Sequence, residues 1–328
     1  MASHQRIAQD VTAVVTACGQ RTGLVESVES VLGQSLRPVR IIVVDDGSAD
    51  RADLDAALHA PKTPESHAGD DAVCVTIVRL DHVRLDHVRL DHNSGVSAAR
   101  NAGIALANTP YICVLDGGDR LLPHFVERTL PVLHDDPNMV AASGWLKCFG
   151  VLNGVVRPVG GTLADFLPRD CCPSACLLRR GLWERRGGYD ELMSEGFEDW
   201  EFHIGLLEAG GPDARIEVVD EPLVNLRTLP GQSGTTYMER RSRALGRIIS
   251  RHRESYAAHV ESTALALDAL AGDRLRMWED AVQVHPELLQ HSMRTRSFMD
   301  HPTFGDGGVE AAVRINRARC SAPFYPAE

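Results

Sequence analysis

The stretch "YICVLDGGDRLLP", residues 111–123, sets an apolar run ahead of Asp116, two glycines and then Asp119. The run reads as a buried strand, which puts both carboxylates in the loop at its carboxyl end. "VRIIVVDDGS" repeats the pattern, with Asp45 and Asp46 closing an apolar run. In open α/β sheets, ligands bind outside the carboxyl ends of the strands. A carboxylate there can accept a hydrogen bond from a base N–H or a ribose hydroxyl, or hold Mg²⁺ or Mn²⁺ through its oxygens. Further along, "FEDWEFHIGLLEAGG" opens a helical pattern with Glu198 and Asp199. A carboxylate in that position can take a proton from an attacking hydroxyl. Each group also has a plainer reading. A single Asp at a strand end caps a helix or forms a turn, and acidic residues in a first helical turn complement the dipole.

The elements that would position these groups alternate along the chain. "VTAVVTA" is a short β-branched strand, and "TGLVESVESVLGQS" follows with apolar residues at helical spacing. Strand "VRIIVVDDGS" comes next, with Ser48 or Asp50 placed to cap a helix. Strand, helix, strand, helix implies a parallel sheet with right-handed crossovers. "VCVTIVRL" is a third strand, "NSGVSAARNAGIALANT" a helix, "YICVLD" a fourth strand and "NMVAASGWLKCFG" a fifth. "GVLNGVVRPVG" reads as a hairpin on an Asn153–Gly154 type I′ turn, and "ARIEVVDEPLVNLRT" as two short strands. "VRLDH" occurs three times in succession, at 78–82, 83–87 and 88–92. A five-residue period suits neither strand nor helix. The expectation is a duplicated surface loop, which costs little extra closure entropy. Beyond about Ser233 the texture becomes Arg-, Glu-, Ala- and Leu-rich at helical spacing. The expected division is 1–233 for the α/β unit, with an insert-like loop at about 60–92, and 234–328 for a mainly helical extension.

Composition excludes several classes. A net charge of −11, from 34 basic and 45 acidic residues, argues against a general nucleic-acid binder. No apolar run reaches the roughly 18–20 residues of a membrane span, and "MASHQRIAQD" lacks a signal-peptide core. The expected location is the cytoplasm. Of the eight cysteines, several lie inside apolar runs, as buried thiols do. The "CCPSAC" cluster has no second CxxC or nearby His pair, so reduced thiols are preferred to a zinc site.

The motifs "VVDDGS", "NSGVSAARNAGI", "YICVLDGGDRLLP", "GGYDE" and "GFEDWEFHIGLLEAG", in that order, resemble the family-2 glycosyltransferases with the GT-A fold. The match runs from about residue 11 to residue 233. The resemblance implies a mostly parallel, Rossmann-like central sheet flanked by helices, and an inverting transfer from a nucleotide-diphosphate sugar. It implies that Asp46 accepts from the base, with Asp45 nearby. Arg100 would lie toward the base or the diphosphate, a choice its fixed fork suits. Asn93 and Gly95 would shape the loop beside the nucleotide. Asp116 would open the Asp-x-Asp motif and face the ribose or a Mn²⁺ or Mg²⁺ ion. Asp199 would be the catalytic base, with Glu198 beside it.

Three departures bear on that picture. The second Asp of Asp-x-Asp is Gly118, so Asp119 is the remaining partner of Asp116 for a metal, provided 116–119 close a β-turn. Cys18 and Gly19 stand where relatives carry an aromatic residue and Asn. "NLRTLPGQS" keeps Arg227 but lacks the His that follows it in relatives, and Arg227 could meet a diphosphate oxygen as a cation. Two readings follow: an active transferase with UDP-sugar as the default donor, or a non-catalytic relative that binds nucleotide or glycan or supports a partner enzyme. The acceptor is not specified, and the chain is compatible with a homo-oligomer.

Overall fold

The computed structural model describes residues 6–17, 21–46, 74–80, 83–90, 92–193, 196–229, 236–282, 300–305, 308–309 and 312–313. Cys18, Gly19, Ser48, Asp50, residues 60–73 of the expected insert and most of the final tail lie outside them.

An eleven-stranded sheet forms the centre. Strands β1 (Arg6–Ala17), β2 (Leu36–Asp46) and β5 (Tyr111–Asp116) form its parallel middle, with β1 between the other two. β3 (Cys74–Leu80) and β4 (Val83–Leu90) continue it at one edge. On the other side β10 (Leu177–Arg179) runs antiparallel between β5 and β7 (Met139–Gly150). β11 (Arg215–Thr228) lies parallel to β7, and β6 (Arg120–Leu121), β8 (Gly154–Val156) and β9 (Gly161–Thr162) are short additions.

Successive strand side chains point to opposite faces, so each apolar strand feeds two helical layers. Val15, Ile41, Val43, Cys113 and Leu115 bury against α1 (Arg21–Leu32) and α3 (Phe125–Asp135). Val14, Ile42, Val44, Ile112 and Val114 bury in the opposite layer. That layer holds α2 (Val96–Leu106), α4 (Leu163–Phe166), α5 (Arg180–Arg186), α6 (Glu198–Gly210), α7 (Thr236–Arg251) and α8 (Arg253–Ala258). α9 (Val260–Val282) follows. Among the described residues no helix is long and apolar enough to cross a membrane.

The VRLDH repeat is not a surface loop. Its first two copies pair with one another, Val78 opposite Leu85 and Leu80 opposite Val83, as the β3–β4 hairpin. β4 then pairs in parallel with β2 from Arg40 opposite Arg84 to Asp46 opposite Leu90. Five is odd, so the two copies that share β4 turn their apolar residues to opposite faces. Val83 and Leu85 bury in one layer, and Val88 and Leu90 pack in the other. A strand covered on both faces accepts that exchange. Asp86 ends up fully buried, where it accepts from Arg40 Nε at 2.5 Å and Arg84 Nε at 2.7 Å.

Two local expectations also change. The β7–β8 pairing ends at Cys148 opposite Gly154, so residues 149–153 make the connection. Asn153 is not in the positive-φ region a type I′ turn needs; the left-handed residue is Gly150, at φ 98°. The two short strands expected over 215–228 are one strand, β11, whose register shifts around Pro222.

The C-terminal helices grip α6. Ala244, Ile248 and Tyr256 bury in its layer, and Tyr256 Oη donates to the Leu167 carbonyl at 2.7 Å. Fully buried Glu201 of α6 accepts from Arg186 (2.6 Å) and Arg251 (3.1 Å) and lies 3.2 Å from His252 Nε2. Burial would lower the His252 pKa, but Glu201 and Glu208 raise it above the ordinary histidine value.

Candidate active site

The carboxyl ends of β2 and β5 flank that of β1, with Asp45 opposite Ala17 and Asp116 opposite Thr16. The two acidic loops therefore open on one side of the sheet, as their central positions require. Asp45 and Asp46 are both buried. Asp46 closes the next loop: Oδ1 accepts from Ser94 N at 2.7 Å and Oδ2 from Gly95 N at 2.8 Å. Its carboxylate thus shapes the 93–95 loop, a role expected of Asn93 and Gly95 themselves. Asn93 is exposed on that loop. Gly95 has φ 94°, a conformation that favours glycine, and a Cβ built there would meet nothing within 4 Å.

From this loop α2 carries Arg100 inward. Its side chain is 1% exposed and joins two elements. Nη2 donates to Asp116 Oδ2 at 2.6 Å and Nε to Asp116 Oδ1 at 3.1 Å, a forked pair; Nη1 donates to Glu198 Oε1 at 3.1 Å. Thr16 and Ser174 hydroxyls also donate to Asp116, at 3.0 and 3.2 Å. Burial would raise the Asp116 pKa, but Arg100 and these donors hold it below the usual carboxylate value. Arg100 is thus enclosed between carboxylates, where the expectation had it facing base or diphosphate.

Sequence reasoning missed the neighbour, Asn101. Its Oδ1 accepts from Trp183 Nε1 (3.1 Å) and Tyr189 N (2.8 Å), and its Nδ2 donates to Tyr189 O (3.0 Å) and Glu191 (2.8 Å). Asn101 therefore ties α2 to "GGYDE". Asn101→Ala leaves several of these groups unpaired. It is expected to cost about 2–3 kcal/mol, on the scale of buried polar groups left without partners, measured by urea unfolding.

Asp199 sits in the first turn of α6. Gly196 (φ 87°) and Phe197 (φ 66°) turn the chain into it through left-handed conformations, and Phe197 is the one positive-φ non-glycine among the described residues. Such strain costs on the order of 1–3 kcal/mol and persists where the surroundings enforce it. Phe197 packs in the apolar layer edge-on to Trp200, 6.4 Å between ring centres. Asp199 Oδ1 accepts from Trp200 N at 2.8 Å. Burial and then the charges of Glu198 and Asp170 push the Asp199 pKa up to about 8, against the opposing effects of Arg100 and His203. Two residues share a buried pair one turn further on: His203 Nδ1 lies 3.1 Å from Asp170 Oδ1.

The expected metal pair does not form a cage. Residues 116–119 do close a turn, with Asp119 N donating to Asp116 O at 3.1 Å and Gly118 at φ 111°. But Asp116 is saturated by Arg100, Thr16 and Ser174, and Asp119 Oδ1 accepts from Arg227 N at 2.8 Å. Among the described residues no three His, Cys, Asp or Glu side chains gather where they could hold a metal ion. The donor set therefore does not fit Mn²⁺ or Mg²⁺ as arranged. In "CCPSAC", Cys171, Cys172 and Cys176 are buried free thiols. Of the tryptophans, Trp200 is fully buried and donates to Phe166 O at 2.6 Å, while half-buried Trp145 lies 4.8 Å beneath the Arg157 guanidinium.

Comparison with known proteins agrees with this architecture. The chain is 29% identical over 216 residues to the pre-mycofactocin glycosyltransferase of Mycobacterium tuberculosis. It is 36% identical over 122 residues to the succinoglycan biosynthesis protein ExoO of Rhizobium meliloti. The matched regions cover 62% and 37% of this chain, but only 40% and 29% of those relatives. Among solved structures, residues 1–349 of TarS from S. aureus superpose with a TM-score of 0.51 at 13% identity, covering 97% of this chain and 93% of that one. The same TarS fragment in complex with UDP gives 0.50 at 14% identity. The family model described as glycosyl transferase family 2 matches residues 12–184, more than half of the chain, and with a GT-A-like sheet beneath those residues the chain belongs to glycosyl transferase family 2.

Proposed function

We propose that the protein is an inverting glycosyltransferase that moves a sugar from a nucleotide-diphosphate donor to an acceptor nucleophile, with Asp199 as general base. The observation that carries this reading is the chain of contacts from the sheet to the base. Asp116 at a strand end, Arg100 and Glu198 are joined in sequence, and Asp199 follows Glu198 with a pKa suited to proton uptake near neutrality. Asp199 would accept the nucleophile's proton as its attacking atom bonds the anomeric carbon. The bond from that carbon to the diphosphate would break on the opposite face, its electron pair leaving with the diphosphate. Asp45, Asp46 and the 93–95 loop would bound the base and ribose. UDP is the default nucleotide, in keeping with the UDP complex of TarS. Residues 1–233 would form the catalytic unit, acting in the cytoplasm, with 234–328 as a helical brace on α6.

Calorimetry with UDP, GDP, dTDP and CDP, each with Mn²⁺ and with EDTA, tests the donor. One of the nucleotides, UDP first, is expected to bind. Absence of binding by all of them would move the conclusion to a non-catalytic relative.

A further inference from the structure

Beside the turn that fails to form a cation cage lie two guanidinium groups that the reaction above leaves unused. Gly118 has no side chain, and Arg227 fills the space: a Cβ at Gly118 would lie 3.8 Å from Arg227 Cδ and Nε. Nε donates to the Gly118 carbonyl at 3.0 Å. Arg120 comes from β6, where it pairs with Asn225 of β11. Both cations lie over the Phe149 ring, Arg120 at 4.7 Å and Arg227 at 4.8 Å from its centroid. Both also bond the same oxygen, Glu26 Oε2, Arg120 at 2.8 Å. The Arg120 Nε is buried with no hydrogen-bond partner. All three side chains keep an open side, Arg120 36%, Arg227 23% and Glu26 31% exposed.

The cluster therefore sets two fixed positive charges, on the rim of the turn that follows β5, against the Glu26 carboxylate and Asp119, which accepts from Arg227 N and whose pKa burial pushes up to about 7. Phe149 gives both guanidinium groups one ring to rest on, and Glu26 bonds both. Guanidinium forks match phosphate oxygens in bidentate fashion and carry a charge that does not titrate.

We infer that Arg120 and Arg227 form a diphosphate-binding cation pair that stands in for a divalent metal, with Glu26 as the counter-ion that the diphosphate displaces. The inference rests on the nucleotide-diphosphate donor proposed above. As the bond to the anomeric carbon breaks, the electron pair passes to the diphosphate oxygen, and the fixed cations meet that charge without reorganising. Gly118 has a part in this. A carboxylate at that position would reach Arg227 and neutralise it.

Calorimetry in EDTA separates the phosphate contribution from the rest of the ligand. The probes are UDP, UMP and uridine, or the corresponding set for whichever diphosphate binds. Wild type is expected to bind UDP at least about 10-fold tighter than UMP, the scale of a single charge-assisted hydrogen bond to the second phosphate, and Mn²⁺ is expected to add little. Arg227→Met and Arg120→Met should each remove most of that gain and leave uridine binding unchanged. Glu26→Gln, which keeps the shape and removes the charge, should tighten UDP. The inference would be overturned by a diphosphate gain that appears only with Mn²⁺, by equal losses for UDP and uridine in the arginine variants, or by weaker UDP binding in Glu26→Gln. Binding of uridine and UMP with no gain for UDP removes this inference alone. Failure of the folded wild type to bind any of the probes removes the donor reading as well.

Discussion

Asp199→Asn is expected to slow glycosyl transfer by about 10²–10⁴-fold, the contribution of a positioned general base, with nucleotide affinity essentially unchanged. The substitution is nearly isosteric, and an Asn oxygen can still accept from Trp200 N, the bond that holds Asp199 now. The pH profile makes the assignment specific. Burial, with the Glu198 and Asp170 charges, places the Asp199 pKa at about 8. At pH 7 only about a tenth of the protein then carries the base in working form. Activity should climb with pH up to about 8 and level off above it, and the variant should lose that rise. Glu198→Gln removes a neighbouring negative charge and should carry the rise to lower pH. If Glu198→Gln abolished the rise and Asp199→Asn did not, the base would be Glu198. Stability should move the opposite way to activity. A carboxyl whose folded pKa is raised favours the folded state most below its unfolded pKa. That contribution is lost as pH climbs through about 8. Asp199→Asn should therefore gain stability relative to wild type in alkaline urea titrations.

The frame that presents these groups was legible because short apolar runs ending in acid announce buried strands with ligand-facing ends. Asp45, Asp46 and Asp116 stand where that rule puts them, around β1. What escaped is what distant partners decide. Asp86 looks like a loop residue in its repeat, yet Arg40, 46 positions away, pairs with it inside the sheet. β10 enters the sheet antiparallel through three residues, too short a run for any periodicity. Asn101 is one of many polar residues on a helix until Tyr189 and Trp183 meet it. The Asp116–Asp119 turn follows the same rule. Asp116 and Asp119 do share a turn, but Arg100 and the Arg227 backbone had already claimed their oxygens. Spacing shows which side chains can meet, and not which competitor reaches them first.

Arg100→Met is expected to be the most damaging single change to stability, about 3–5 kcal/mol, because it leaves buried charge without its partner. Against the roughly 5–15 kcal/mol that usually holds a domain, that is a large share. Asp116 and Glu198 would lose their common cation and face each other across the space it filled. Burial would lower the Arg100 pKa, but Asp116 and Glu198 more than offset this, so the guanidinium stays charged at any accessible pH. The carboxylate side titrates. Asp116 has its pKa lowered in the fold, so its contribution is present above the unfolded value and fades as pH falls through the folded one. The gap between wild type and Arg100→Met should therefore narrow below about pH 4, where an unperturbed Asp takes up its proton. Arg100→Lys keeps a charge but cannot fork to Asp116 while reaching Glu198, and should fall between the two. Adding Glu198→Gln to Arg100→Met removes one of the stranded charges and should recover part of the loss. Equal urea midpoints for wild type and Arg100→Met would mean that the bridge does not hold the end of β5 to α6. Asp116 would then be free to turn toward a ligand, and the metal reading of the Asp116–Asp119 turn would regain its footing.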